Sequence, residues 1–101
     1  MYAQIVRGTT DISKFQDLIS LVDEWYRDFG VSNTPGLEKV FIIENIVVDG
    51  SFEILVLFSN ENDLTAFSRT AEAFDFFSRA RPLAWGDLEC TGARIRTIGE
   101  N

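Results

Sequence analysis

The sequence predicts an α+β fold in which one four-stranded antiparallel sheet carries two helices on one face. Three observations carry that expectation. Apolar residues at 12, 15, 18, 19, 22, 25, 26 and 29 recur at the spacing of one helix face. Two strand-like runs flank Asp49 and Gly50 between Leu37 and Phe58, and a second helical stripe from Leu64 precedes a β-rich tail. With 46% hydrophobic and 25% charged residues in 101, the chain reads as a single globular domain over 1–101.

Residues 2 to 7, YAQIVR, form the first predicted strand, punctuated by Gly8 and two threonines. The first helix is expected over about 11–29, with Thr10 or Asp11 accepting the free N–H groups at its start and Gly30 stopping it in a left-handed conformation. VSNTPG, residues 31 to 36, is turn-prone and forms a loop.

LEKVFIIENIVV and SFEILVLF are then two strands around a tight Asp49-Gly50 turn. A two-residue turn sets Val48 opposite Ser51, Val47 opposite Phe52, Asn45 opposite Ile54, Ile43 opposite Val56 and Phe41 opposite Phe58. One face then holds Phe41, Ile43, Asn45, Val47, Phe52, Ile54, Val56 and Phe58. The other holds Val40, Ile42, Glu44, Ile46, Val48, Glu53, Leu55 and Leu57. Both are mostly apolar, so each needs a covering.

Ser59 or Asn60 caps a second helix over about 61–79, with Leu64, Phe67, Ala71 and Phe74 on its stripe and Pro82 beyond its end. DLECTGARIRTI, from Asp87 to Ile98, is the last strand, with Gly92 marking a bulge or a close approach. Strand, helix, strand, strand, helix, strand is the ferredoxin-like βαββαβ order, with strands one and three central. Two helices cover one sheet face, and an identical chain packed on the other would cover the second.

Composition removes several function classes. Sixteen acids against nine bases give a charge of −7, opposed to nucleic acid or anionic lipid. The absence of histidine takes away the commonest metal ligand and general base, so neither metal nor haem is expected as a cofactor. One cysteine, Cys90, cannot pair within the chain and suits a reducing, cytoplasmic setting. The opening MYAQIVRGTTD has no basic-then-apolar leader, and no apolar run approaches a membrane span. RNA-recognition domains share this order of elements, but SFEILVLF lacks the basic residue and glycine of their signature.

Pro35-Gly36 before strand two and the passage FEILVLFSNENDLTAF from Phe52 to Phe67 resemble the dimeric α+β barrel superfamily, most nearly its antibiotic-biosynthesis-monooxygenase-like domains. The resemblance implies a homodimer of back-to-back sheets with a pocket in each subunit between sheet and helices. Some members oxidise quinol-like or polyketide aromatics without metal or flavin, and others degrade haem. Oxygenases of that group often carry Asn on strand one and Trp at the end of strand three, and the haem-degrading members add a histidine. Here Gln4 and Phe58 stand at the first two places, and histidine is absent.

The candidate site residues are Asn45 and Tyr26 for chemistry, with Trp25, Phe41, Ile54, Phe58 and Gln4 around the substrate. Asn45 is an amide on an otherwise apolar face and can orient a carbonyl or phenol, or else satisfy backbone at a bulge. Trp25 and Tyr26 can wall a planar substrate, or simply pack the core. Glu44 and Glu53 fall diagonally across the hairpin, as an acid pair or as a solvated rim. Cys90 has no histidine to activate it and reads as an inert thiol. Arg94 and Arg96 share a face and can hold an anion or protect a sheet edge. Two readings of function follow: a cofactor-independent monooxygenase acting on a small aromatic, or a non-catalytic homodimeric module that binds a small molecule or a partner.

Overall fold

The computed structural model describes residues 1–100, and Asn101 lies outside them. Four antiparallel strands, β1 (Tyr2–Thr9), β2 (Leu37–Glu44), β3 (Ser51–Phe58) and β4 (Glu89–Arg94), lie in the order β2-β3-β1-β4. The first and third strands are central, as the βαββαβ order requires. Helices α1 (Phe15–Trp25), α2 (Glu61–Ser68) and α3 (Ala71–Ala80) pack on one face. The fold class and topology are those expected.

The first helical segment is longer than predicted. A 3₁₀ turn, Ile12–Lys14, leads into α1, and a π-helical turn, Tyr26–Gly30, carries the chain into a last turn, Val31–Asn33. Asp11 caps the start: its carboxylate accepts from the Ser13 hydroxyl and backbone N–H, which together hold its pKa below the usual value. Gly30 does not stop the helix, because its φ is −57°. It is needed for space. A Cβ there would come within 2.9 Å of the Trp25 ring.

The second helical segment is broken where a continuous helix was expected. Thr70 interrupts it, its hydroxyl donating to the Phe67 carbonyl at 2.8 Å and accepting from the Ala73 N–H at 3.1 Å. That hydroxyl starts α3 afresh, so Phe74 is 74% exposed while Phe76 and Ala80 turn inward. Asn60 caps α2 as expected, through the Asp63 N–H. The last strand ends at Arg94, earlier than Ile98.

The hairpin register differs by three residues from the one a two-residue turn gives. Glu44 pairs with Phe52, Ile42 with Ile54 and Val40 with Val56. Asn45 is the cause. Its Oδ1 accepts from the N–H groups of Val47 (2.8 Å) and Val48 (2.9 Å), folding residues 45–50 into a wide connection that Ser51 N–H closes onto the Val48 carbonyl. An odd shift exchanges the faces of β2. Val40 and Ile42 therefore face the helices with Phe52, Ile54, Val56 and Phe58, and Phe41 and Ile43 lie outside with Leu55 and Leu57. Ile46 projects from the tip at 91% exposure. Glu44 and Glu53 fall on opposite faces, so the acid pair does not form. Glu53 instead binds Arg7 at 2.7 Å.

Gly50 fixes the end of this hairpin. Its φ is +84°, its carbonyl accepts from Thr10 N–H at 2.7 Å, and a Cβ would fall 2.2 Å from the Thr10 carbonyl oxygen. Gly86 has a similar φ of +75° with open space around it. Gly86→Ala should therefore cost about 1 kcal/mol, from conformation alone, and Gly50→Ala clearly more than about 2 kcal/mol in urea unfolding. Equal costs would mean that the Thr10 contact yields without penalty.

Candidate functional site

The strand register lays out the helix-facing side of the sheet in rows. Val40, Val56, Gln4 and Gly92 form one row, and Ile42, Ile54, Val6 and Cys90 form the next. Above them α1 contributes Val22 and Trp25, α2 contributes Phe67, and α3 contributes Ala73, Phe76 and Phe77, enclosing a cavity of about 20 Å³. That is room for one water. Trp25 organises the roof: Phe67 and Phe76 lie 5.7 Å from its ring centre at steep angles, and Phe29 lies at 6.3 Å.

Two of the residues on these walls each carry a buried polar atom with no hydrogen-bond partner among the described residues. One is the Trp25 Nε1–H, on a side chain that is 8% exposed, and the other is Gln4 Oε1. An orphaned buried group of this kind costs about 1–3 kcal/mol. No ionisable side chain borders the cavity. The other end of the Gln4 amide is engaged, with Nε2 donating to Cys90 Sγ at 3.0 Å.

Gln4 also forms part of a second, outer cleft of about 350 Å³, bordered by Tyr2, Leu64, Ser68, Gly92 and Arg94. This cleft follows from the sequence of β4, whose helix-facing positions carry the small residues Cys90 and Gly92. At its rim the Arg94 guanidinium lies 5.6 Å from the centre of the Tyr2 ring. Gln4 thus joins an open cleft to a closed apolar chamber.

The structure brings together Trp25, Ile54 and Gln4 of the residues singled out from sequence. Phe58 lies fully buried beneath them, 5.4 Å from the Phe67 ring. Tyr26 and Phe41 lie elsewhere, in a groove of about 520 Å³ between α1 and edge strand β2 that also includes Ile19, Asp23 and Lys39. Asn45 is in the exposed hairpin connection, where backbone N–H groups occupy its carbonyl oxygen. Sequence reasoning missed Phe76 as a wall because the Thr70 break turns the helix, whereas Ala73 and Phe77 widen the expected stripe of the second helix without being assigned to the site. The Gln4–Cys90 contact, between residues 86 apart, left no local signal.

No protein-family profile matches the chain, and no curated protein matches its sequence significantly. Solved structures do match its fold. A Deinococcus radiodurans protein named after the antibiotic biosynthesis monooxygenases superposes with a TM-score of 0.76 at 13% identity, over 100% of this chain and 98% of that one. A similarly named protein of Bordetella bronchiseptica gives 0.74 at 10% identity, over 95% and 97%. SnoaB, a cofactor-independent oxygenase from Streptomyces nogalater, gives 0.71 at 12% identity, over 98% and 97%. At such identities the shared property is the fold, which is that of the antibiotic-biosynthesis-monooxygenase-like ferredoxin domains.

Gln4→Leu removes the orphaned acceptor while keeping side-chain volume close. The ligand-free variant should be about 1 kcal/mol more stable than wild type in urea unfolding, the sign expected when a buried polar group is kept for a ligand. A loss of stability would show that the Gln4 amide is satisfied within the fold.

Proposed function

We propose that the chain is a cytoplasmic, homodimeric, cofactor-independent monooxygenase-like enzyme whose substrate is a small aromatic of the quinol or polyketide type. The observation that supports this reading is the pair of orphaned polar atoms, Gln4 Oε1 and Trp25 Nε1, beside one otherwise apolar cavity. The neighbouring fold that carries the name of a cofactor-independent oxygenase supports it in the same direction.

The chemistry follows from what the chamber contains. An aromatic ring needs about 150 Å³, so substrate binding pushes the walls of the present cavity apart. With no ionisable side chain on the walls, the proton must leave a substrate that is itself acidic, such as a hydroxyarene. The Trp25 N–H then donates to the oxygen on which negative charge develops, once the ligand has displaced the one water the cavity can hold. The substrate anion, formed by loss of a proton to solvent before the chamber closes, gives electrons to dioxygen. In a hydroxyanthrone the ring methylene takes one oxygen atom and becomes a carbonyl, and the other oxygen atom leaves as water with the two hydrogens of that carbon. Trp25, Gln4 and Ile54 are the residues this reading uses, with Phe58 supporting them from below.

The outer sheet face supports the dimer. Phe41, Leu55 and Ile5 form its central row, and Phe41 and Ile43 are each 45% exposed in the single chain. A sheet of this kind buries such a row against a second copy.

Oxygen consumption with a panel of hydroquinones and hydroxyanthrones is the deciding assay. Wild type should consume oxygen, and Trp25→Phe should lower kcat by about 10- to 100-fold, the worth of one hydrogen bond to developing charge. No uptake across the panel would favour the non-catalytic binding module. Sedimentation should give twice 11.4 kDa for wild type and one chain for Leu55→Glu, because a carboxylate has no partner on that face. A wild-type monomer at micromolar concentration would remove the dimer.

A further inference from the structure

A separate cleft lies in the helix layer, bordered by no strand residue. The helical turn that carries Phe29, the Thr34-Pro35 link into β2, α2 and the start of α3 leave about 440 Å³ between them, a volume within the range of small-molecule sites. Phe29, Pro35 and Phe67 give it apolar walls, Asp63 and Glu72 bring carboxylates, and no lysine or arginine among the described residues borders it. The Asp63 carboxylate is held in place. Asn60 Nδ2–H donates to its Oδ2 at 2.7 Å, and it lies against Gly36, where a Cβ would collide with it. Thr34 adds a hydroxyl oxygen that is buried and has no hydrogen-bond partner among the described residues.

The charge around this cleft is of one sign. Phe29 and Glu72 also border a neighbouring cleft of about 330 Å³ with Asp28 and Asp75, and its one cation, Arg79, lies 3.3 Å from the Glu24 carboxylate. Asp28, Asp63, Glu72 and Asp75 have no ion-pair partner among the described residues. Glu72 suits the start of α3, but Asp75 stands three residues on and repels it, and Asp28 lies toward the end of its helical segment, where the dipole opposes an acid. A cation bound among them offsets both effects. We propose that the cleft between Thr34, Asp63 and Glu72 binds an organic ammonium ion carried on an apolar, aromatic body. An ammonium nitrogen has donors and no acceptor, and the hydroxyl and two carboxylates supply its acceptors. Phe29 and Phe67 take the body, and ring faces attract the charge. A carboxylate ligand meets like charge, and a metal ion leaves the apolar walls unused. This site shares only Phe67 with the chamber and stands whether or not the chain is an oxygenase.

Heteronuclear NMR titration of the full chain with 2-phenylethylamine, 2-phenylethanol and ethylamine, at neutral pH and about 0.15 M salt, gives both affinity and place. Wild type should bind 2-phenylethylamine with a Kd of about 1 mM or tighter, and about tenfold tighter than either the uncharged alcohol or ethylamine, which has no aromatic body. The amide signals of Phe29, Thr34, Asp63 and Glu72 should move. Glu72→Gln and Asp63→Asn, which keep side-chain size, should each weaken binding by about fivefold or more, and Thr34→Val by about threefold with no loss of stability, since it removes an unpaired hydroxyl. Equal binding of ethylamine would reduce the site to a diffuse acidic surface and overturn the proposal. Unchanged affinity in folded Glu72→Gln and Asp63→Asn, shifts confined to Val6 and Ile54 of the chamber, or no shifts at about 10 mM amine would overturn it equally. An unchanged affinity in Thr34→Val would overturn the part given to the hydroxyl.

Discussion

The hydrogen bond from Thr10 N–H to the Gly50 carbonyl, 2.7 Å long, decides how the rest of the sheet is read. It ties the end of β1 to the start of β3, and the pairing from Thr9–Ser51 to Tyr2–Phe58 follows without interruption. Once β3 is placed, Phe52, Ile54, Val56 and Phe58 face the helices and Glu53, Leu55 and Leu57 face away. Every other strand takes its faces from that choice. The same bond also explains why residue 50 has no side chain: the carbonyl of Thr10 occupies the place where a Cβ would stand.

Much of this was legible in the sequence. The helical stripe from Ile12, the Asn60 cap and the continuous apolar run in β3 each follow from local spacing, and together they give the topology. What local spacing could not give was competition between a side chain and the backbone. Asn45 and Thr70 are both short polar residues inside strongly patterned runs, and each bonds to nearby main chain in place of the regular ladder. Asn45 lengthens the hairpin connection and reverses the faces of β2. Thr70 divides one helix into two. Gly30 escaped for a different reason, since its absent side chain serves a tryptophan five positions earlier and not its own backbone.

The candidate site was half legible on the same grounds. Trp25 and Ile54 were reachable because they lie on strongly periodic elements. Gln4 was visible only as a polar residue on a weak strand, and its meaning depends on β4, which is distant in sequence. Asn45 looked like the buried amide of the fold, and it is instead the half-buried Gln4 whose amide oxygen is buried. Both expectations came from one rule, that a polar group among apolar neighbours needs a partner. Register decided which residue the rule applied to.

The interruption at Thr70 has a consequence for timing. Ala73, Phe76 and Phe77 belong to a helix that starts with its own cap, so one wall of the cavity is carried by a helix other than α2. Were that helix to shift alone, the cavity would widen with α2 still in place on the sheet, and arrival of any occupant would be limited by the rate of that shift.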